Sequence, residues 1–361
     1  MPIVPPAGLV LVTGVNGYLG SITARTLLKH GYHVRGTVRD IATNEWMLSF
    51  FGPNFSLVQV SDIAADGAFD GAVEGVDGVL HIAANMTFDP HNDAAVAESI
   101  KSVTGILEAS HKEYSVKRVV LTSSSGACIF PEPGVPYEIT TGTWNQAAID
   151  AAARTFEGED LAKRAAQLYC AAKAAGEQAG FAWVRKHKPS FVFNSVIPPI
   201  LFGDLIAPEH LGYPSNCGIL ETLIRGLPVA PYLIQSQWFV DTEDAALVHL
   251  GALALDDVRD ERILTFGGQW SWSSILEILH RRFPERESLM SSVDEPLKDC
   301  GTVCTDRGVE ILERLGKDGF KSLEACLVTA TKAIIASYEL PMPPKNKLDD
   351  VLVRMKIGGV E

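Results

Sequence analysis

A short apolar segment followed by three evenly spaced glycines is the feature that most restricts how this chain can fold. The segment 9–12 has β-strand character, and Gly14, Gly17 and Gly20 follow it where a helical pattern begins. Glycines there let the backbone turn sharply and approach an anion, whose charge the unpaired amides of a helix start attract. A glycine-rich turn between strand and helix therefore predicts a dinucleotide-binding site. The residues expected to bind the dinucleotide at this turn are Gly14, Asn16, Gly17, Tyr18 and Leu19.

Strand and helix patterns alternate through the first two hundred residues. Short runs rich in β-branched residues predict six strands, at 9–12, 33–38, 55–60, 78–82, 119–122 and 191–197. Helical periodicity between them predicts helices at about 20–30, 94–111 and 161–187. Parallel strands joined by helices form a sheet that is covered on both faces. The expected fold class is α/β, with a doubly wound parallel sheet of the Rossmann type.

The character of the sequence changes after residue 197. Pro198 and Pro199 open a loop-rich stretch, which continues into isolated helical patterns at 273–282 and 323–338. At about 150 residues per domain, a chain of 361 residues has room for two lobes. We expect a dinucleotide-binding domain at 1–197 and a mainly substrate-binding lobe at 198–340, with some segments returning to the sheet. Residues 341–361 are expected to form a loose C-terminal extension.

Composition narrows the classes of function. Hydrophobic residues make up 47% of the chain, enough for a full core, and a net charge of −13 has the wrong sign for a nucleic-acid partner. No run of about 18 apolar residues predicts a membrane span, and the first eight residues lack the basic start of a secretory signal. The six scattered cysteines predict reduced thiols in the cytoplasm and no metal site. The expected partner is a small molecule, and the expected assembly is a monomer or homodimer.

The end of the second strand bears on which dinucleotide binds. A carboxylate there accepts the ribose hydroxyls of NAD, whereas an arginine favours the extra phosphate of NADP. The usual place of the acid is taken by Val38, and Arg39 follows with a fork of donors for a phosphate. NADP, as NADPH, is favoured, while Asp40 would allow NAD if it paired with Arg39. Asp62, with Ile63 beside it, follows the third strand and either accepts from the adenine amino group or caps a turn.

A phenol and an ammonium lie four residues apart at Tyr169 and Lys173. On a helix this spacing puts both groups on one face, so both can reach the same ligand. A phenol with a pKa near 10 is a poor acid or base at pH 7, and a nearby cation lowers that pKa. Upstream, a serine-rich segment at 122–126 ends a strand, where open α/β sheets bind their ligands. These residues predict acid–base chemistry beside the dinucleotide.

The motifs together resemble the extended short-chain dehydrogenase/reductase family. The closest resemblance is to the branch that contains plant dihydroflavonol reductases and yeast or fungal aldehyde and carbonyl reductases, and it extends from about residue 8 to about residue 333. It is carried by LVLVTGVNGYLG at 9–20, GYHVRGTVRD at 31–40, GVDGVLHIAA at 75–84, VVLTSS at 119–124, YCAAK at 169–173 and WFVDTED at 238–244.

This resemblance implies roles for the catalytic residues. Tyr169 would protonate the carbonyl oxygen as hydride arrives, and Lys173 would hold the nicotinamide ribose and tune the phenol. Ser124 would hydrogen-bond the substrate oxygen. Ser123 and Ser125 are its neighbours, and a shift of one residue at the strand end would change that assignment.

The resemblance also implies two further cofactor contacts and shows one departure. Pro198 would lie beside the nicotinamide amide, and Ala83 would line the adenosine ribose. The helix around 102–106 lacks the asparagine with which many short-chain enzymes hold a proton-relay water, so the relay stays open.

The segments that match the substrate loops of the family are largely apolar, at 85–88, 127–130 and 200–202. Such a lining suits a bulky hydrophobic or aromatic carbonyl compound, unless some of these side chains are simply core. The residues expected to contact the substrate are Thr87, Phe88, Ser125, Phe130, Pro199 and Phe202.

The leading hypothesis is an NADPH-dependent ketoreductase or aldehyde reductase that serves secondary metabolism. The first alternative is an epimerase, dehydratase or hydroxysteroid-dehydrogenase-like member of the same family. Sugar-nucleotide enzymes need a site for a second diphosphate, and residues 198–240 show no basic cluster for it. The second alternative is a non-catalytic NADP-sensing regulator, which would need the glycines but not Tyr169, Lys173 and Ser124.

Overall fold

The computed structural model describes residues 3–154, 160–227, 234–286, 289, 292–293, 295, 297–346 and 348–349. Its strands are β1 (Leu9–Thr13), β2 (His33–Val38), β3 (Phe55–Gln59), β4 (Gly78–His81), β5 (Arg118–Thr122), β6 (Pro136–Ile139), β7 (Val192–Ile197), β8 (Ile200–Phe202), β9 (Trp238–Asp241), β10 (Arg262–Leu264), β11 (Gly268–Gln269) and β12 (Cys300–Val303). Its helices are α1 (Tyr18–Lys29), α2 (Trp46–Phe51), α3 (Ala95–Lys112), α4 (Gln146–Ala152), α5 (Leu161–His187), α6 (Pro208–Leu211), α7 (Asn216–Ile224), α8 (Thr242–Ala254), α9 (Trp272–Arg282), α10 (Asp306–Arg314) and α11 (Leu323–Ser337).

The main sheet, as far as the chain is described, has seven strands in the order β10-β7-β5-β4-β1-β2-β3. All neighbouring pairs in it are parallel. The order reverses direction beside β1 and β4, and this is the place where open α/β sheets leave a crevice at the carboxyl ends of the strands. The doubly wound parallel sheet predicted from the sequence is confirmed.

Strand β1 explains why helices cover both faces of the sheet. Its side chains alternate between two cores, with Val10 and Val12 in one and Leu11 in the other. The core on the Val10 face of the sheet also contains Leu27 of α1 and residues of α8, while the core on the Leu11 face contains residues of α3 and α5. A strand that is buried on both sides must be apolar throughout, as this one is.

Apart from the cores on the two faces of the main sheet, a further core, here called the second core, is formed mainly by the chain that follows β7. Side chains of α7, α9 and α11 form it together with Trp270 and Phe239. Two small sheets accompany this core: β11-β9-β8 and β12-β6. The division of the chain at residues 197 and 198 into a cofactor domain and a substrate lobe stays a prediction.

The predicted elements agree closely with those observed. All six predicted strands match β1 to β5 and β7 to within one residue, and the five predicted helices match to within two. Strand β10 was not predicted, because it is only three residues long and begins with the charged Arg262. Within the expected C-terminal extension at 341–361, Asn346 is buried and donates 2.7 Å hydrogen bonds to the Gly218 carbonyl and the Glu221 carboxylate. Residues 347 and 350–361 lie outside the described residues, so the loose extension stays a prediction.

Two general features bear on the expected setting of the protein. Across the described ranges, no helix is both long and apolar enough to cross a membrane. All six cysteines are free thiols, four of them buried. A reducing, cytoplasmic environment stays a prediction, as does the monomeric or homodimeric assembly.

Candidate active site

The three glycines of the turn after β1 have different structural roles. Gly14 has a φ of +64°, and a Cβ on it would lie 3.0 Å from the Cα of Ala83. A Cβ on Gly20 would overlap the carbonyl oxygen of Gly14. Gly17 precedes α1, and no side chain in the described part of the chain caps that helix start. The first amides of α1 can therefore face an anion, as the pyrophosphate of a dinucleotide requires.

Side chains around this turn mostly serve to hold it. Asn16 donates a 3.1 Å hydrogen bond to Asn44, which ties the turn to the segment that follows β2. Tyr18 is buried and donates a 3.0 Å hydrogen bond to the Gly203 carbonyl, and Leu19 is buried against Val240. The side chains of Tyr18 and Leu19 thus point into the core. A dinucleotide can meet these two residues only through the backbone.

The residues after β2 bear on which of the two dinucleotides could bind. Arg39 is exposed, and no hydrogen bond or ion pair with another described residue holds its guanidinium. Asp40 does not pair with it, because its carboxylate accepts a 3.0 Å hydrogen bond from the amide of Ala42. The pairing of Asp40 with Arg39 that would have favoured NAD is therefore not formed, and the guanidinium of Arg39 keeps its donors available.

Asp62 follows β3 and performs the capping role that the sequence left open. Its Oδ1 accepts a 2.9 Å hydrogen bond from the amide of Ala64. The side chain is exposed, so its second oxygen can still accept from an adenine. Ile63 is partly buried and packs against the core under α3.

The end of β4 is fixed by a buried histidine that sequence reasoning missed. The hydroxyl of Thr13 accepts 3.0 Å hydrogen bonds from the amides of Ile82 and Ala83 and donates to Nδ1 of His81 at 3.0 Å. Nε2 of His81 bonds Ser102 at 3.1 Å. Burial, and then the charge of Lys173, lowers the pKa of His81 to about 3, so the ring is neutral at pH 7. This network places Ala83 beside the glycine turn.

Ser124, Tyr169 and Lys173 come together at the carboxyl end of β5. Ser124 is buried, and its Oγ accepts a 3.2 Å hydrogen bond from the amide of Gly126. A hydrogen bond also joins Ser124 to the hydroxyl of Tyr169. Lys173 donates a 3.0 Å hydrogen bond to the Thr122 carbonyl, the last of the strand. The helix face that carries Tyr169 and Lys173 therefore lies against the strand end that carries Ser124, and the catalytic roles of these residues stay a prediction.

The acid–base properties of this group differ in one respect from the expectation. Burial raises the pKa of Tyr169 to about 12, although the hydrogen bond with Ser124 lowers it. The expected lowering by Lys173 is absent, because burial dominates and the ammonium instead bonds the Thr122 carbonyl. Burial lowers the pKa of Lys173 to about 8, against the opposing charge of Glu177. At pH 7 the phenol is neutral and the amine mostly charged.

Comparison with known proteins agrees with this geometry. Residues 10–261 match the NAD dependent epimerase/dehydratase family. The chain belongs to this family. It is therefore an oxidoreductase of the extended short-chain dehydrogenase/reductase type, as the sequence resemblance implied.

Two relatives and one solved structure are similar over nearly the whole chain. The ketoreductase nvfG of Aspergillus novofumigatus is 32% identical, over 91% of this chain and 96% of the relative. Aldehyde reductase 2 of Sporidiobolus salmonicolor is 31% identical, over 89% of this chain and 94% of the relative. The yeast methylglyoxal/isovaleraldehyde reductase Gre2, solved with NADPH, has a TM-score of 0.76 at 23% identity, over 91% and 98% of the two chains. The extended short-chain reductase fold is thus shared.

A narrow cleft next to Ser125 is the candidate substrate site of this family member. The amide of Ser125 bonds the Pro198 carbonyl at 2.9 Å, so the serine segment and the end of β7 lie side by side. The residues that line the cleft are mostly apolar: Ser125, Ile129, Pro131, Tyr137, Ile139, Pro199, Gln237, Trp238 and Phe266. Ser125 and Pro199 were predicted to contact the substrate.

The remaining predicted substrate residues fall into two groups. Phe88 is half exposed, has a φ of +48°, and lies over the ring of Tyr169 with centroids 4.9 Å apart. Thr87 and Phe130 are exposed. Phe202 is buried in the second core, with its ring centroid 5.8 Å from that of Trp270, so it packs as core as the sequence alternative allowed.

Several cleft residues were not predicted because no local sequence pattern identifies them. Tyr137 and Phe266 come from segments that the sequence did not associate with the site. Trp238 belongs to the WFVDTED segment that supported the family resemblance, and its position in that segment was the one available signal.

Proposed function

We propose that this protein reduces a bulky hydrophobic or aromatic ketone or aldehyde to the alcohol with NADPH. The observation that carries the proposal is the convergence of Ser124, Tyr169 and Lys173 beside an uncapped glycine turn. The carbonyl compound, NADPH and one proton give the alcohol and NADP⁺. A new C–H bond forms at the carbonyl carbon and a new O–H bond at its oxygen. The names of the ketoreductase and aldehyde reductase relatives support the reaction class.

The residues of the glycine turn and of the strand ends fit NADPH. The uncapped amides of α1 would face its pyrophosphate, and Arg39 would bond the 2′-phosphate. Asp62 and Ala83 would border the adenosine, and Pro198 the nicotinamide amide. When bound, NADPH supplies the hydride.

The protein's own groups would supply the proton and orient the carbonyl. Tyr169 keeps its proton at pH 7, because burial holds its pKa near 12, and can donate it to an oxygen that becomes negative. Ser124 would hold that same oxygen. The ammonium of Lys173, fixed by the Thr122 carbonyl, would bond the nicotinamide ribose and favour loss of the phenol proton.

The apolar cleft supports the proposed substrate class. Trp238, Phe266 and Pro199 offer apolar surface next to the serine segment, while Phe88 covers Tyr169. Thr87 and Phe130 would contact the substrate from the exposed rim. A flat or branched apolar group matches such a lining better than a sugar does.

An epimerase or dehydratase is the second candidate, since this is the activity in the name of the family. The chemistry of residues 198–240 argues against a sugar nucleotide. Arg225 is the one Lys or Arg in that stretch of the sequence, and it already pairs with Glu221 at 2.8 Å and with Asp349. A second diphosphate would meet no uncommitted arginine or lysine there.

An assay of NADPH consumption over a panel of carbonyl compounds tests the proposal. The panel should contain aryl ketones, branched aliphatic aldehydes, small aldehydes and nucleotide-linked hexoses. We expect oxidation of NADPH with the apolar carbonyls and one alcohol formed per NADPH consumed. Conversion of a nucleotide sugar without net loss of NADPH would favour the epimerase instead. Tight NADPH binding without turnover on any compound would favour the sensor.

A further inference from the structure

Behind the catalytic residues lies a carboxylate that accepts four hydrogen bonds. Glu177 follows Lys173 by one helical turn, and its side chain is completely buried. Oε1 accepts from Ser195 at 2.5 Å and from Nε of Arg262 at 2.9 Å. Oε2 accepts from Ser123 at 2.7 Å and from Nη2 of Arg262 at 3.2 Å. Every acceptor position of the carboxylate is therefore used.

The arginine of this pair is equally well satisfied. Arg262 is buried, and its guanidinium lies 3.6 Å above the ring of Trp144. The donors not used by Glu177 go to the carbonyls of Thr141 and Thr143 at 2.7 and 2.8 Å and to Sγ of Cys128 at 3.6 Å. All five N–H groups of the guanidinium have acceptors. A bidentate ion pair in which every donor and acceptor is bonded has a single geometry. It therefore fixes the positions of the residues that hydrogen-bond to it.

Through Ser123, the pair is bonded to the end of β5 that carries the candidate catalytic residues. Ser123 lies between Thr122, whose carbonyl holds Lys173, and Ser124, which bonds Tyr169. The pair joins this strand end to α5, to β7 through Ser195 and to β10 through Arg262 itself. Replacing a buried ion pair by apolar residues is often neutral or stabilising, so stability alone is a poor reason to build one here.

Glu177 and Arg262 also determine the electrostatic environment of the Lys173 amine. Negative charge on Glu177 favours the ammonium, in opposition to burial. Two histidines also approach this strand end: His249 of α8 bonds the Thr122 hydroxyl at 2.7 Å, and His81 of β4 has its pKa lowered by burial and then by the charge of Lys173. Burial lowers the pKa of His249 to about 4, so both rings are neutral above pH 6. Arg262 bonds the same carboxylate and carries the opposite charge, so it should offset part of the effect of Glu177 on Lys173.

We propose that Glu177 and Arg262 are positioning residues for the reduction, which hold Ser124 and the Thr122 carbonyl in register with Tyr169 and keep Lys173 charged. This proposal rests on the proposed function for its catalytic part. Its electrostatic part concerns only the amine of Lys173 and can be measured without a substrate.

The test uses Glu177→Gln, the double variant Glu177→Gln/Arg262→Gln, and Glu221→Gln as the matched control. Glu221 is also a buried glutamate that pairs with an arginine, but it lies on α7 in the second core. Competitive labelling of Lys173 with acetic anhydride, followed by mass spectrometry across pH, gives the pKa of its amine without turnover. We expect the highest pKa in the wild type and the control, a lower one in the double variant, and the lowest in Glu177→Gln, where Arg262 is left unpaired.

Turnover provides the second measurement. We expect Glu177→Gln to lose on the order of 10²-fold in kcat, as a misplaced catalytic group does, with KM for NADPH nearly unchanged. Glu221→Gln should keep its kcat. The same Lys173 titration in all four proteins would overturn the electrostatic part, and an unchanged kcat in folded Glu177→Gln would overturn the positioning part. If the wild type reduces no carbonyl compound, the proposed function fails while the titration still decides the charge effect.

A milder variant covers the case in which the charge variants do not fold. Ser123→Ala removes one hydrogen bond to Glu177 and leaves both charges in place. We expect a loss in kcat of about tenfold, which corresponds to about 1.4 kcal/mol and is close to the contribution of one hydrogen bond to a charged group, and an unchanged Lys173 titration. An unchanged kcat in this variant would equally contradict the positioning role.

Discussion

The cofactor end and the substrate end of the cleft are built in different ways. At the cofactor end the groups that matter are backbone amides, glycines and strand ends, each held by neighbouring strands of one sheet. Thr13 and His81 lie on adjacent strands and are completely or almost completely buried. At the substrate end, Phe88 and Phe130 come from separate loops and are 48% and 46% exposed.

This difference shows which part of the site is fixed by the fold. Parallel strands in register dictate where Gly14, Ala83 and Ser124 lie relative to one another, so a change there must disturb the sheet. Phe88 and Phe130 lie in loops outside the sheet, and their exposed side chains can be replaced at little cost to it. We therefore expect cofactor binding and proton transfer to tolerate few substitutions, whereas substrate choice should change readily with the residues of the loops.

The largest effect is expected from Tyr169→Phe, which keeps the ring and removes the proton donor. Turnover should fall about 10²- to 10⁴-fold, the usual contribution of a positioned general acid. NADPH binding, measured by titration of its fluorescence, should be unchanged, because the glycine turn and Arg39 are untouched. Tyr137→Phe is the control, since that phenol lies in the cleft but bonds Asp299 at 2.6 Å. Unchanged turnover in Tyr169→Phe would remove this residue from the mechanism.

Arg39→Ala should act on the cofactor end alone. A hydrogen bond to a charged group contributes about 1.5–3 kcal/mol, so the Kd for NADPH should rise about 10- to 150-fold. The Kd for NADH should hardly change. Arg35→Ala, on the strand β2 that precedes Arg39, is the control, because that guanidinium bonds the carbonyls of Ala72 and Glu74. Equal losses for the two dinucleotides would show that Arg39 does not read the phosphate.

The same contrast explains what could be predicted from the sequence. The glycine turn and the Tyr169–Lys173 spacing are local patterns, and local patterns report strands, turns and helix faces. Tyr137 and Arg262 reach the site only because β6 and β10 are brought there by the topology, and a short strand with a charged first residue gives no periodic signal. Glu177 had a usable signal, the four-residue step after Lys173, but its partners are three separate strand segments.

The pKa of Tyr169 was predicted in the wrong direction for a related reason. Four-residue spacing places an amine near the phenol, but it does not report how deeply both are buried. Burial raises the pKa of Tyr169 to about 12 and lowers that of Lys173 to about 8. Desolvation disfavours the charged form of each group, so the pKa of the phenol rises, the pKa of the amine falls, and the two values move apart.

These values predict the pH dependence of the reaction. Lys173 loses its charge as pH rises through about 8, whereas Tyr169 still keeps its proton there. Because the ammonium is needed, kcat/KM should fall about tenfold for each pH unit above 8, since that profile reports groups of the free enzyme. A profile measured from pH 6 to 10 tests this, and a flat profile to pH 10 would show that the charge of Lys173 is not required.

The smallest effect is expected from Phe88→Ala, which tests the adjustable end. The Phe88 ring lies next to Tyr169, where we expect it to pack against the aryl group of a substrate. An aromatic pair of this kind contributes about 0.5–1.5 kcal/mol, so kcat/KM for aryl ketones should fall about 2- to 13-fold. Small aldehydes do not use that contact, so their kcat/KM should stay the same or rise. Phe50→Ala is the matched control, since Phe50 is also 48% exposed but lies on α2. Equal losses for bulky and small substrates would mean that Phe88 supports Tyr169 itself, and the substrate end would then be as fixed as the cofactor end.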